Sequence, residues 1–63
     1  MNAKEVIAKL KADGWQQVRQ KGSHRQFQHP SKAGTVSVPD HGGKSLKIGV
    51  LKSIEKQSGV QFR

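Results

Sequence analysis

The sequence has no cysteine, one tryptophan, one methionine, two prolines and two phenylalanines in 63 residues. Without cysteine there is neither a disulfide framework nor a thiolate metal site. No apolar run approaches the about 20 residues that a membrane-spanning helix needs, and the N-terminus lacks the apolar stretch of a secretory signal. The expectation is a cytoplasmic chain with no membrane association. Acidic residues are scarce as well: four Asp and Glu stand against twelve Lys and Arg, a net charge of +8. No two carboxylates are paired in the sequence, which argues against a divalent-cation site. The positive excess attracts polyanions, whether nucleic acid, an anionic membrane surface or an acidic protein. At this length the whole chain, residues 1–63, is expected to be one domain. A core that small is marginal, so most large apolar side chains must be buried.

What is present falls into five segments. Asn2 and Glu5 have capping-box spacing, and Ala3, Val6, Ile7 and Leu10 share a helical face, so a helix is expected that stops near Asp13 at Gly14. Trp15–Gln20 reads as a strand, although Trp15 and Val18 do not fit one alternation. "KGS" supplies a turn, and His24–His29 alternates, with Arg25, Phe27 and His29 on one face and His24, Gln26 and Gln28 on the other. "PSKAG" is a second turn. Thr35–Val38 alternates with Val36 and Val38 inward, and Pro39, which has no N–H for a ladder, is expected to end that strand. After the glycine-rich loop "DHGGKS", the residues Leu46, Val50, Leu51 and Ile54 point to a second helix from about Ile48 to Gly59, with Gly49 in its first turn. The order α-β-β-β-α gives an α+β fold, with a three-stranded antiparallel sheet and two helices covering one face. Phe27, Val36 and Val38 then meet Val6, Ile7, Leu10, Leu51 and Ile54, and His24 lies on the opposite face or at its rim. Trp15 and Phe27 are claimed by this core, which leaves Phe62 near the tail as the aromatic outside it.

Three histidines are candidates for chemistry. His24 sits directly behind a Gly-Ser turn with Lys21 and Arg25 beside it; on that evidence alone it is an ordinary exposed strand residue. His29 precedes Pro30 at a strand end. His41 lies in the glycine-rich loop, where it is placed to assist proton transfer or to contact a ligand. Their spacing fits no zinc pattern, and Asp40-His41 is the one close acid–histidine pair, so no metal site is expected. "HGGKS" lacks the first glycine of a P-loop and has no strand–helix crossover context, which excludes that route to nucleotide hydrolysis.

Taken together, "DGW" after the first helix, "VRQKGSHRQFQHP" and "TVSVPDHGGKSLKIGVLKSIEKQSGV" resemble the HicA family. The resemblance spans nearly the whole chain and rests on "GSH" at the head of a strand, "VSVP" with its basic loop, and "G-x-L-x-S-I-x-K-Q-x-G" in the last helix. It implies a fold similar to a double-stranded-RNA-binding domain. It also implies the toxin of a type II toxin–antitoxin pair, an mRNA interferase that cleaves RNA independently of the ribosome, with RNA as substrate and a HicB-type antitoxin as protein partner. The histidine after the Gly-Ser turn, His24 here, is the implied catalytic residue.

That chemistry needs no metal and no cofactor. RNA carries its own nucleophile, the 2′-hydroxyl, and a histidine titrating near neutrality can move the protons. Lys21, Arg25, Lys44 and Lys47 are candidates to neutralise phosphate charge, and the Gly22-Ser23 turn offers backbone N–H groups to a phosphate oxygen; Ser23 itself supports the turn. Two other readings stay open. One is a non-catalytic module of the double-stranded-RNA-binding type, its lysines before the second helix gripping phosphates across a groove and His24 incidental. The other is a chain that binds only an acidic protein.

Overall fold

The computed structural model describes residues 1–62. The order is α1 (Ala3–Ala12), β1 (Gln16–Lys21), β2 (His24–Gln28), β3 (Val36–Pro39) and α2 (Ile48–Ser58), so the α+β reading holds. The helix α1 starts on the capping box: Asn2 Oδ1 accepts from the Glu5 N–H at 3.0 Å, and Glu5 Oε1 accepts from the Asn2 N–H at 3.1 Å. It closes at Asp13, whose N–H donates back into the last turn.

The sheet is antiparallel in the order β1-β2-β3. Phe27 pairs with Val36 and Arg25 with Val38, so these four share the face that the helices cover. Phe27, Val36 and Val38 are buried there with Val6, Leu10, Trp15, Leu51 and Ile54. Ile7 is only half-buried and packs at the margin of this cluster. The register between β1 and β2 shifts between Gln17 and Arg19, and Val18 has no partner in the ladder. That bulge explains why Trp15 and Val18 fit no single alternation: Trp15 is buried while Val18 is about half exposed. Phe62, expected outside the core, is inside it at 7 % exposure, its N–H donating to Glu55 Oε2 at 2.8 Å. Apolar area is scarce in a chain this short, and the tail supplies some of it.

A polar clamp closes the end of the molecule away from the β1–β2 turn. The His29 ring meets Trp15 edge-on with centroids 5.3 Å apart. Its Nδ1 accepts from the Ser31 N–H at 3.0 Å, and its Nε2 lies 2.8 Å from the Asp13 carbonyl oxygen, so the Nε2–H tautomer satisfies both contacts. Lys32 Nζ donates to Asp13 Oδ2 at 2.7 Å and to the Ser58 carbonyl at 3.1 Å, which ties the end of α1 to the end of α2. This hydrogen bond from Lys32 is the main reason the Asp13 carboxyl titrates below its ordinary range. The buried Trp15 indole N–H has no hydrogen-bond partner of good geometry, yet lies close enough to that carboxylate to favour its charged form slightly. Gly14 is required at this corner: its φ is +105°, and a Cβ there would sit 2.8 Å from His29 Nε2.

Candidate active site

The β1–β2 connection is a two-residue hairpin loop, with Lys21 opposite His24 and Gly22-Ser23 between them. Gly22 has φ +60°, and among the described residues no non-glycine has positive φ. This is the type II′ pattern, with glycine at the first central position, which matches the twist of the flanking strands. The Gln20 side chain donates to the Gly22 carbonyl at 3.1 Å and stiffens the turn. His24 therefore begins β2 at a fixed place.

The register also fixes its direction. Phe27 and Arg25 lie on the helix-covered face, so alternation sends His24 and Gln26 to the open one. Cross-strand pairing puts Lys21 and Pro39 on either side of His24 on that face, with Arg19, Gln26 and Ser37 in the next row. His24 is exposed, and no hydrogen bond to its imidazole is present among the described residues. Both ring nitrogens are open to a ligand.

As expected, β3 ends at Pro39, which is its last paired residue, opposite His24. The Asp40 N–H donates to the Ser23 carbonyl at 2.7 Å. The preceding pair, His24 and Pro39, thus falls at a non-hydrogen-bonded position, where no N–H is needed and opposed side chains lie closest.

Arg25 points away from His24. Its Nε donates to Asp40 Oδ2 at 2.7 Å, and Nη1 reaches Gln17 Oε1 at 3.4 Å. Both side chains of the Arg25–Asp40 pair are partly exposed, so the bond is worth about 1 kcal/mol or less, and its role is placement. With the Asp40–Ser23 bond it anchors the start of the glycine-rich loop. The far end of that loop is held by the Leu46 N–H donating to the Met1 carbonyl at 2.7 Å and by the bridge between Asn2 and Ser45. Between these anchors His41 and Lys44 are exposed, and just beyond them Lys47 is the N-cap of α2. No side chain caps that helix and no acidic residue stands in its first turn, so its positive end is uncompensated.

Lys44 and Lys47 share a groove with Pro39, the cross-strand partner of His24. The groove, of about 280 Å³, opens between the end of β3 and the start of α2, with Pro39, His41, Lys44, Leu46, Lys47 and Val50 in its walls. Nothing in the sequence's periodicity announces this groove; it arises where a proline edge meets the half-buried side of a helix. All four acidic residues are engaged within the fold: Glu5 in the α1 cap, Asp13 with Lys32, Asp40 with Arg25, and Glu55 with the Phe62 N–H. Lys21, Lys44 and Lys47 make no ion pair among the described residues. No three His, Asp or Glu side chains come together there in a way that would hold a metal ion. Among the same residues, no helix is long and apolar enough to cross a membrane.

The family model described as "HicA toxin of bacterial toxin-antitoxin" matches residues 3–60. The chain belongs to the HicA toxin family. The match runs from the first residue of α1 past the end of α2, so it takes in the hairpin turn, the glycine-rich loop and the groove. No curated protein matches the chain. The histidine behind the Gly-Ser turn, singled out by resemblance to the HicA family, is thus an exposed residue on an open, basic sheet face. Of the cations proposed with it, Lys21 is its cross-strand neighbour. Lys44 and Lys47 flank the adjoining groove, and Arg25 is turned to the other face.

Proposed function

We propose that this HicA-family chain is a metal-independent endoribonuclease, an mRNA interferase, in which His24 transfers a proton during cleavage of the RNA backbone. The observation that carries the reading is the row Lys21–His24–Pro39: an unencumbered imidazole beside an unpaired ammonium, on a sheet face that no helix covers. In the reaction the 2′ oxygen bonds to phosphorus while the bond from phosphorus to the 5′ oxygen breaks. One proton leaves the 2′-hydroxyl and one arrives at the 5′ oxygen; His24 serves one of these transfers. Lys21 neutralises the charge that builds on the phosphoryl oxygens, and the turn at Gly22 and Ser23 presents N–H groups to the same phosphate. Lys44 and Lys47, with the free N-terminus of α2, hold phosphates further along the strand. Arg25 contributes by fixing the glycine-rich loop through Asp40. No cofactor is required.

The partner in this reading is RNA for the reaction and a HicB-type antitoxin for control. A strongly basic enzyme offers an acidic inhibitor both long-range attraction and one exposed histidine to cover. The test is cleavage of a short RNA carrying a single 2′-deoxy substitution at its cleavage site. Cleavage at that bond stops while binding persists if the 2′-hydroxyl is the nucleophile. Continued cleavage there would reject the mechanism, and binding without any cleavage of the all-ribose RNA would leave the chain a non-catalytic RNA-binding module.

A further inference from the structure

The groove beside Pro39 has a chemistry that phosphate binding does not use. Its floor is apolar: Pro39, Leu46 and Val50, the latter two half-buried against the core. Its rim is cationic, with Lys44 and Lys47 unpaired, and the exposed ring of His41 stands on the same wall. The volume, about 280 Å³, lies at the lower end for small-ligand sites and suits one planar ring system rather than a folded peptide segment. Pro39 joins the groove to His24, its closest class of cross-strand neighbour.

We infer that this groove receives one unstacked nucleobase of the RNA, held flat against Pro39, Leu46 and Val50, while Lys44 and Lys47 take the phosphates on its two sides. A base needs an apolar or aromatic surface for its face and cations for the flanking charge, and both stand together here. The exposed imidazole of His41 provides a stacking or edge contact. The base entering the groove belongs to a nucleotide next to the bond that reaches His24, so the groove sets which nucleotide is presented there. Single-stranded or looped RNA is then the preferred substrate, because a base inside a continuous duplex does not reach the floor. The inference rests on the RNA-cleaving reading only for the role of the groove in choosing the cleavage site.

The experiment measures binding and no cleavage, so it is blind to what His24 does. The wild-type chain is titrated with short 2′-O-methyl oligonucleotides, which have no free 2′-hydroxyl, and with the same strands carrying one abasic position in turn. The methyl resonances of Leu46 and Val50 are followed by NMR. One abasic position should weaken binding about tenfold and remove a ring-current shift at these methyls, while abasic positions elsewhere have little effect. Val50→Phe, which fills the groove, should erase the difference between base and abasic strands; His41→Ala, at an exposed site, should reduce it without a change in melting temperature. If every abasic strand binds like its parent and the Leu46 and Val50 methyls do not move, the groove takes no base and is left to a protein partner.

Discussion

Replacing Gly14 by alanine tests whether the corner that holds the sheet to the helices is as tightly built as its geometry indicates. Alanine at φ +105° is strained by about 1–2 kcal/mol. Its Cβ would lie 2.8 Å from His29 Nε2, so the imidazole must swing away. That breaks the 2.8 Å contact between Nε2 and the Asp13 carbonyl, worth about 1 kcal/mol, and disturbs the edge-on packing on Trp15, worth about another 0.5–1. The sum is about 3 kcal/mol. A domain of this length loses about 4–8 °C per kcal/mol, so the melting temperature should fall by about 12–24 °C. Thermal melts followed by tryptophan fluorescence and circular dichroism measure it. The decisive comparison is the same substitution in a His29→Ala background, where only the backbone strain remains and the loss should shrink by about half. A fall of less than about 3 °C in the parent, or equal losses in the two backgrounds, would refute the reasoning.

Affinity for RNA should fall with salt, with a log–log slope near about −2 from three phosphate contacts on a single strand, and Lys21→Ala should bring it to about −1.4; a flat response would remove Lys21, Lys44 and Lys47 from the interface. Stability should decline in acid for a stated reason. The Asp13 carboxyl titrates below its unfolded value, so its contribution is complete above about pH 4 and is lost as the pH drops through the lowered folded value. Asp13→Asn should flatten that limb in melts taken from neutral pH downward, and an unchanged acid limb would count against the Lys32–Asp13 clamp. Cleavage should survive EDTA, since there is no cysteine and no cluster of three metal-ligating side chains among the described residues; loss of activity on chelation with rescue by one divalent metal would show otherwise.

The parts of this fold that were legible in the sequence are those dictated by local rules. The Asn2–Glu5 capping box, the apolar stripes of α1 and α2, the Gly-Ser turn and the alternation about Phe27 each act within a few residues, and the observed elements follow them closely. What local rules did not settle lies where a distant partner decides. Val18 escapes the ladder because β2 imposes a bulge on β1. Pro39 stays paired because its turn in the hydrogen-bond alternation asks nothing of its missing N–H. Phe62 is buried because the core lacks apolar area and Glu55 captures its N–H. The same distinction applies to the site. His24, Lys21 and the turn between them are set by sequence-local geometry. The reorientation of Arg25 toward Asp40 depends on the β2–β3 register, which places residue 25 opposite residue 38 and within reach of residue 40. Had that register been drawn from the alternation of Phe27 with Val36, the Arg25–Asp40 pair was there to be found. The groove depends on the packing of α2 against the end of β3, which no sequence period encodes.

The most direct test of the account is a side-by-side assay of wild-type and His24→Ala protein. Each is melted, titrated with RNA and incubated with the same RNA at neutral pH. His24 is exposed and makes no hydrogen bond among the described residues, so truncation opens no cavity and the melting temperature should move by no more than a few degrees. RNA affinity should change by less than about threefold, since the lysines and the groove are intact. Cleavage should drop by about 10² or more, the contribution of one positioned acid or base. A His24→Ala protein that melts like wild type, binds RNA and cleaves it at the wild-type rate would contradict the central claim and move the chemistry to another residue.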